Sequence, residues 1–264
     1  MKWEIIKKFS SKNKNCFSYK DVLAEHPDMD RSYLSKVLAA MVRMGMLMKI
    51  YRDSYYIIPL SAAPETYSPD SRIVAKCLMK GKGYYIAYSS AMYIHGLMDQ
   101  PGIKTMVVTE RQMQPSTKII KGTACHFIYH TSRRFFGYLE TWVTMQERVM
   151  VSDLEKTIVD AVSKPQLCGG LIEVGKAISH ANERIELQKM FYYLARNGSY
   201  AAIKRYLFLS DLLGMEWTSE HERMLEGSGS SISLLDPNGP DQGKKNSRFG
   251  LKINVELNSL MDPE

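Results

Sequence analysis

The chain has 264 residues, of which 45% are hydrophobic and 24% charged, ordinary globular values that exclude a chain too polar to bury a core. Its length suits two folding units plus a tail better than one small module. The formal net charge is +7, and residues 1–60 hold eleven Lys and Arg against six Asp and Glu, so most of the excess sits near the N-terminus and favours a polyanionic partner.

Met1 to Phe9 carries a charge every few residues and so lacks the unbroken apolar region of a signal peptide. Trp3, Ile6 and Phe9 fall at helical spacing, which predicts a first helix over 3–10, ended by the polar stretch 10–15. Ser18 is placed to cap a second, short helix that must end by about Glu25, because Pro27 disfavours helical geometry before it. Asp30 is placed to cap a third helix, with Leu34, Val37, Leu38, Met41 and Met44 on one stripe and Ser32, Lys36, Ala39 and Arg43 opposite. Short side chains let such a helix approach base edges in a major groove, and long cations reach phosphates or guanine.

After Gly45, residues 46–51 and 55–59 are β-rich runs joined by Arg52-Asp53-Ser54, a hairpin with a cation at its tip. Helix, helix, capped basic helix and basic-tipped hairpin follow the order of a winged helix-turn-helix. Residues 1–60 are therefore expected to bind double-stranded DNA through Lys20, Arg31, Ser32, Tyr33, Ser35, Lys36 and Arg43, with Lys49 and Arg52 on the wing. One such module reads few bases, so the expected operator is an inverted repeat occupied by two copies.

Residues 61–71 are polar and contain Pro64 and Pro69, and read as an inter-domain link. Over 72–226 the pattern predicts a mixed α/β domain with a helical C-terminal part, making the whole chain α+β. Its elements are a helix at 72–79, a turn at Gly81-Lys82-Gly83, a strand at 84–87 and a helix at 89–95 closed by Gly96. Strands follow at 105–109, 126–130 and around 142–143, then helices at 171–181, 184–195, 200–213 and 216–225. Ser152 and Glu155 have capping-box spacing for a helix beginning between them. Residues 227–248, rich in Gly, Ser, Asp, Asn and Pro, read as a flexible segment, and 249–257 as a returning strand within a 249–264 tail.

Cys16, Cys77, Cys125 and Cys168 are scattered without a close pair, which predicts no disulfide framework and no Cys-x-x-Cys site, and suits a reducing compartment. The longest apolar run, Val37 to Val42, stops at Arg43, far short of the ~20 residues that cross a bilayer. A cytoplasmic protein without a membrane partner is expected. His126 and His130 share a strand face but lack a second ligand cluster, and read as polar surface positions. Gly81-x-Gly83 lacks the third glycine of a dinucleotide loop, and Gly227-Ser228-Gly229-Ser230 has no Asp-x-Asp after it to hold metal ions. His95, at a helix end, reads as structural. No catalytic residue, cofactor or metal is expected. In the row Met190 to Leu194 adjacent aromatics cannot all face one core, so part of that helix is expected to be exposed.

Tyr84 to Ala91 through His95-Gly96-Leu97, then Val107-Val108-Thr109, Val151-Ser152-Asp153-Leu154-Glu155-Lys156-Thr157 and Gly169 to Val174 resemble the AbiEi-type antitoxins of bacterial type IV toxin-antitoxin systems. The resemblance covers about residues 15–215. It implies a winged-helix domain that represses its own operon and a second domain supporting antitoxicity against a nucleotidyltransferase toxin encoded next door, a functional antagonist rather than a required stable partner. Residues 227–264 depart from the family's shorter pattern and inherit nothing from it. The alternative is a winged-helix regulator whose second domain senses a ligand or binds a protein.

Overall fold

A computed structural model describes residues 2–120, 122–145 and 147–261. Contacts divide the chain into two units, residues 1–84 with 115–126, and residues 85–114 with 127–264. The first contains α1 (Lys2–Ser10), β1 (Cys16–Ser18), α2 (Tyr19–Glu25), α3 (Arg31–Arg43), β2 (Leu47–Tyr51), β3 (Ser54–Ile57) and α4 (Ser71–Met79).

The capping residues act as their spacing requires. The Ser18 hydroxyl accepts from the Asp21 amide at 3.2 Å while the Asp21 carboxylate accepts from the Ser18 amide at 2.6 Å, so each side chain satisfies the other's free donor at the start of α2. Asp30 accepts from the Tyr33 amide at 2.8 Å and starts α3. The apolar stripe of α3, Leu34, Val37, Leu38 and Met41, is buried with Ile5, Phe9, Phe17, Val22 and Leu47. Met44 departs from that stripe: it lies past the last turn as the C-terminal cap and is 59% exposed. Strand β1 lies between the polar stretch 10–15 and α2, where the sequence pattern predicts no strand. Three residues are too few to show alternation, but Phe17 pairs with Tyr55 across an antiparallel sheet ordered β1-β3-β2 and stacks on Phe9 at 4.4 Å.

Two expectations about this unit are corrected. Residues 61–71 are not a link between units, since the division falls after Tyr84 and α4 packs on all three strands. Polar composition hid close packing: Tyr67 stacks on Tyr56, their hydroxyls 3.3 Å apart, and Pro64 lies so near Gly45 that an added Cβ would come within 2.5 Å of it. The cysteines are not all free, because Cys16 of β1 and Cys77 of α4 form a disulfide. Their 61-residue separation hid the pairing, which needs the fold to bring the two together.

The second unit begins at β4 (Tyr84–Ile86), α5 (Tyr88–Ile94) and β5 (Lys104–Thr109). An antiparallel hairpin of β6 (Thr117–Ile120) with the first residues of β7 (Thr123–Tyr129) groups with the first unit. With β8 (Tyr138–Trp142) and β9 (Arg148–Ser152), the second unit's strands run in the order β7-β5-β4-β9-β8. The helices are α6 (Leu154–Ser163), α7 (Leu171–Ala181), α8 (Leu187–Asn197), α9 (Tyr200–Leu212) and α10 (Ser219–Glu226). Helix α6 is buried from Glu155 to Val162 and forms the centre on which α5, α7, α8 and α9 pack. Ile158, Val159, Val162, Val174, Ile178, Leu194 and Leu209 are all fully buried there, each worth about 1.5–3 kcal/mol of transfer free energy.

The expected flexible segment is folded. Strands β10 (Ser233–Leu234), β11 (Lys244–Asn246) and β12 (Leu251–Ile253) form a small sheet ordered β10-β12-β11, followed by α11 (Asn258–Met261). Leu235, Phe249 and Leu251 are buried in the main core. Arg205 of α9 donates to the carbonyls of Leu234, Leu235 and Val162, and Lys204 donates to that of Ser231. A few deep anchors and two cations that satisfy backbone acceptors outweigh the turn-rich composition. The returning strand is three residues of the expected nine-residue run, and residues 262–264 of the expected tail lie outside those described. Among the described residues no helix is long and apolar enough to cross a membrane.

Candidate nucleic-acid interface

Between Arg31 and Arg52 there is no Asp or Glu, while Arg31, Lys36, Arg43, Lys49 and Arg52 all lie in that span. The structure places Arg31, Ser32, Tyr33, Ser35, Lys36 and Arg43 on the solvent side of α3, opposite its buried stripe, with Tyr33 51% exposed. Lys49 is exposed on β2, Arg52 at the hairpin tip and Lys20 on α2. The Ser35 hydroxyl donates to the Arg31 carbonyl at 3.0 Å, and the Tyr19 hydroxyl donates to the same oxygen at 3.0 Å, fixing the start of α3 against α2.

Several acids of this unit are paired away from α3. Glu25 takes Lys8 and Lys12, which hold its carboxyl down at about 2, and Asp21 takes Lys14 at 2.7 Å. Asp53, beside the hairpin tip, is held below its ordinary value by Lys80 of the α4 end. Among the described residues, Arg31, Lys36, Arg43 and Lys49 enter no ion pair. The cations of the α3 face are therefore left without ion-pair partners, with Asp30 taken up in capping the helix start. At the hairpin, Arg52 adopts a left-handed φ of 40° and lies 5.3 Å from the Tyr51 ring centre; Lys118 of β6 lies 5.2 Å from that ring. Lys80 and Lys118 were not legible in the sequence as parts of this surface, since each comes from a segment distant in the chain.

The second unit holds a different kind of polar cluster. His130, expected on the surface, is 5% exposed. Its Nδ1 lies 3.0 Å from the Tyr85 hydroxyl and its Nε2 2.8 Å from the Tyr88 hydroxyl, and Tyr85 donates to Asp160 at 3.2 Å. One donor order satisfies all of them: Tyr88 O–H to Nε2, Nδ1–H to the Tyr85 oxygen, and Tyr85 O–H to Asp160. Asp160 also accepts from Lys156 at 2.5 Å, both buried. Tyr88 holds a left-handed φ of 53°, uncommon for a bulky residue, at the first turn of α5. His126 accompanies Thr117 at 2.9 Å across the β6–β7 hairpin. Among the described residues no group of three or more His, Cys, Asp or Glu is placed to hold a metal ion.

Burial pulls His130 down to about 4 against the opposing charge of Asp160, with Lys156 and Lys164 adding to the depression. The unfolded chain, whose histidine titrates near 6.5, takes up the proton first. The contribution is complete above about pH 6.5 and is lost as the pH falls to about 4, a loss of about 3 kcal/mol. Chemical denaturation at pH 7 and pH 4 tests this, with His130→Gln expected to lose about that much less between the two.

The motif 151–157 is used internally. The Ser152 hydroxyl meets that of Thr157 at 2.7 Å, and the His95 Nε2–H donates to the Ser152 carbonyl at 2.7 Å. Asp153, not Ser152, caps α6, accepting from the Lys156 amide at 2.9 Å, so the expected capping box is not formed. Glu155 instead accepts from the Glu186 amide at 3.0 Å and pairs with Lys189 at 2.7 Å. His95 closes α5 and takes the Arg184 guanidinium on its own carbonyl at 2.9 Å. The aromatic row divides as expected: Met190, Phe191 and Leu194 are buried and Tyr192 is 60% exposed.

No protein-family model matches the chain, and no curated protein does. A crystal structure of the RV2827C protein from Mycobacterium tuberculosis is similar in fold, with a TM-score of 0.66 over 97% of this chain and 92% of that one. At 11% identity the likeness concerns architecture alone. The mixed α and β architecture thus recurs over nearly the full length of both chains.

Proposed function

We propose that the chain is a sequence-specific DNA-binding repressor of its own operon and the antitoxin of a type IV toxin-antitoxin system. In this reading α2, the turn 26–30 and α3 are the helix-turn-helix and β2–β3 is the wing. The acid-free span from Arg31 to Arg52, with its cations exposed and unpaired around a face of small and polar residues, is the observation that carries it. Arg31, Ser32, Tyr33 and Lys36 would approach base edges, and Arg43, Lys49, Arg52 and Lys20 phosphates. The antitoxin half is supported by the resemblance of residues 84–97, 107–109, 151–157 and 169–174 to the AbiEi type.

Gel-shift titration of the DNA upstream of the reading frame tests the DNA half. A discrete complex that survives excess random duplex is expected. Equal affinity for both duplexes would remove the operator assignment. The antitoxin half is tested separately by co-expression with a neighbouring nucleotidyltransferase: growth is expected to recover, and persistent arrest would leave a repressor without antitoxin activity.

A further inference from the structure

The second unit carries a basic surface that the operator reading does not use. Three segments without acids meet there: the turn after β7 (131–136), the α6 end (161–164) and the α8 end (192–199). The Arg133 Nε–H donates to the Arg196 carbonyl at 3.0 Å and the Arg134 Nε–H to the Asn197 carbonyl at 3.1 Å. The Asn197 amide donates to Ser163 at 3.1 Å, which ties in the segment that ends at Lys164.

Each of the two guanidiniums is oriented by its Nε, and no carboxylate pairs with Arg133, Arg134, Lys164 or Arg196 among the described residues. Gly198 makes room for the first of them: a Cβ there would come within 2.5 Å of an Arg133 nitrogen. Arg196 lies 4.2 Å from the Phe136 ring centre, and Tyr193 packs edge-on against the same ring at 4.9 Å. Burial and then the neighbouring Arg134 lower the Lys164 ammonium below its usual value, against the opposing charge of Asp160. Helix α9 starts at Tyr200, so its positive dipole end adds to the same field.

Capping of the α8 carbonyls accounts for the Nε contacts. It does not account for gathering three guanidiniums and an ammonium with no carboxylate in ion-pair contact among the described residues, flanked by Tyr192 and Tyr200 at 60% and 57% exposure. Tyr192 and Arg196 are four residues apart on α8 and share a face. Fixed forks without partners match phosphate oxygens, and exposed rings beside them match unpaired bases.

We propose that this surface binds single-stranded nucleic acid, with Arg133, Arg134, Lys164 and Arg196 on successive phosphates and Tyr192 and Tyr200 stacked on bases. A duplex keeps its base faces inside the stack, so the tyrosines favour a single strand over double-stranded DNA.

Fluorescence anisotropy tests this on the full chain carrying Lys36→Ala and Arg43→Ala, which weakens the α3 face. The probes are labelled 12-nucleotide oligo(U), oligo(dT) and a 12-base-pair duplex. Binding of either single strand more tightly than the duplex is expected, with log K falling against log salt at a slope of about −3 for four phosphate contacts. The preference between oligo(U) and oligo(dT) identifies the strand chemistry. Adding Tyr192→Ala is expected to weaken binding about tenfold, the loss of one base stack, and Arg196→Gln to weaken it while lowering the slope by about 0.7. Both positions are exposed and, among the described residues, neither side chain makes a hydrogen bond, Arg196 only resting on the Phe136 ring, so folding is kept. No measurable binding of either single strand, or unchanged single-strand affinity in both added variants, overturns the proposal. Tyr192 and Arg196 lie on α8, outside α3 and the hairpin, so a loss of single-strand affinity on changing them reports this surface whether or not the α3 face binds duplex.

Discussion

Lys156→Met is expected to destabilise the second unit by about 3–5 kcal/mol, the range seen when one member of a buried ion pair is removed. Lys156 and Asp160 are 0% and 1% exposed, one turn apart on α6, with nitrogen and oxygen 2.5 Å apart. The ammonium also lies 4.5 Å from the Phe136 ring centre, a desolvated cation–π contact that methionine keeps only as packing. Without the lysine, Asp160 retains the Tyr85 hydroxyl but loses its buried counter-charge. Pairing the change with Asp160→Asn is expected to restore most of the loss, because removing both charges avoids the uncompensated one. Urea unfolding of the two single variants and the double variant measures the coupling. Additive single losses would mean that the pair is not one energetic unit.

Reduction of the Cys16–Cys77 bond is expected to lower the stability of the first unit by about 4 kcal/mol, from the chain entropy released when a 61-residue loop opens. The bond joins β1, an edge strand of only three residues, to α4. Urea unfolding of one preparation with and without a phosphine reductant isolates the cross-link, since the sequence is unchanged. Alkylation of the denatured, unreduced protein should label Cys125 and Cys168, which are free, and spare the other two. Labelling of all four would contradict the bond itself.

What could be read from the sequence follows how local each signal is. The caps Ser18 and Asp30, the stripe of α3 and the hairpin around Arg52 depend on residues within a few positions of one another, and each forms where its spacing places it. The outward face of α3 follows from the same periodicity, so the six residues named on it emerge exposed, as do Lys20, Lys49 and Arg52 on α2 and the hairpin. Features set by distant partners were hidden. Cys16 needs Cys77, Asp53 needs Lys80, and the interior place of His130 depends on Tyr85 and Tyr88 more than forty residues away. Residues 227–248 look like a linker because glycine and serine dominate. Leu235, Phe249 and the cation of Arg205 nevertheless hold the segment down. Ser152 was drawn toward the capping role by its spacing to Glu155, but its hydroxyl is buried beside Thr157 while Asp153 caps the helix one residue later.

The assignment of α3 as the reading helix is tested most directly by the salt dependence of affinity for the upstream DNA, measured for the unaltered protein and for the variant carrying Lys36→Ala and Arg43→Ala. The variant is expected to bind more weakly by about 1–3 kcal/mol if one lost contact is base-specific, and its slope of log K against log salt to become shallower by about 1 for each lost phosphate contact. Superimposable titrations with equal slopes would contradict the account, because α3 would then not be the surface that meets DNA.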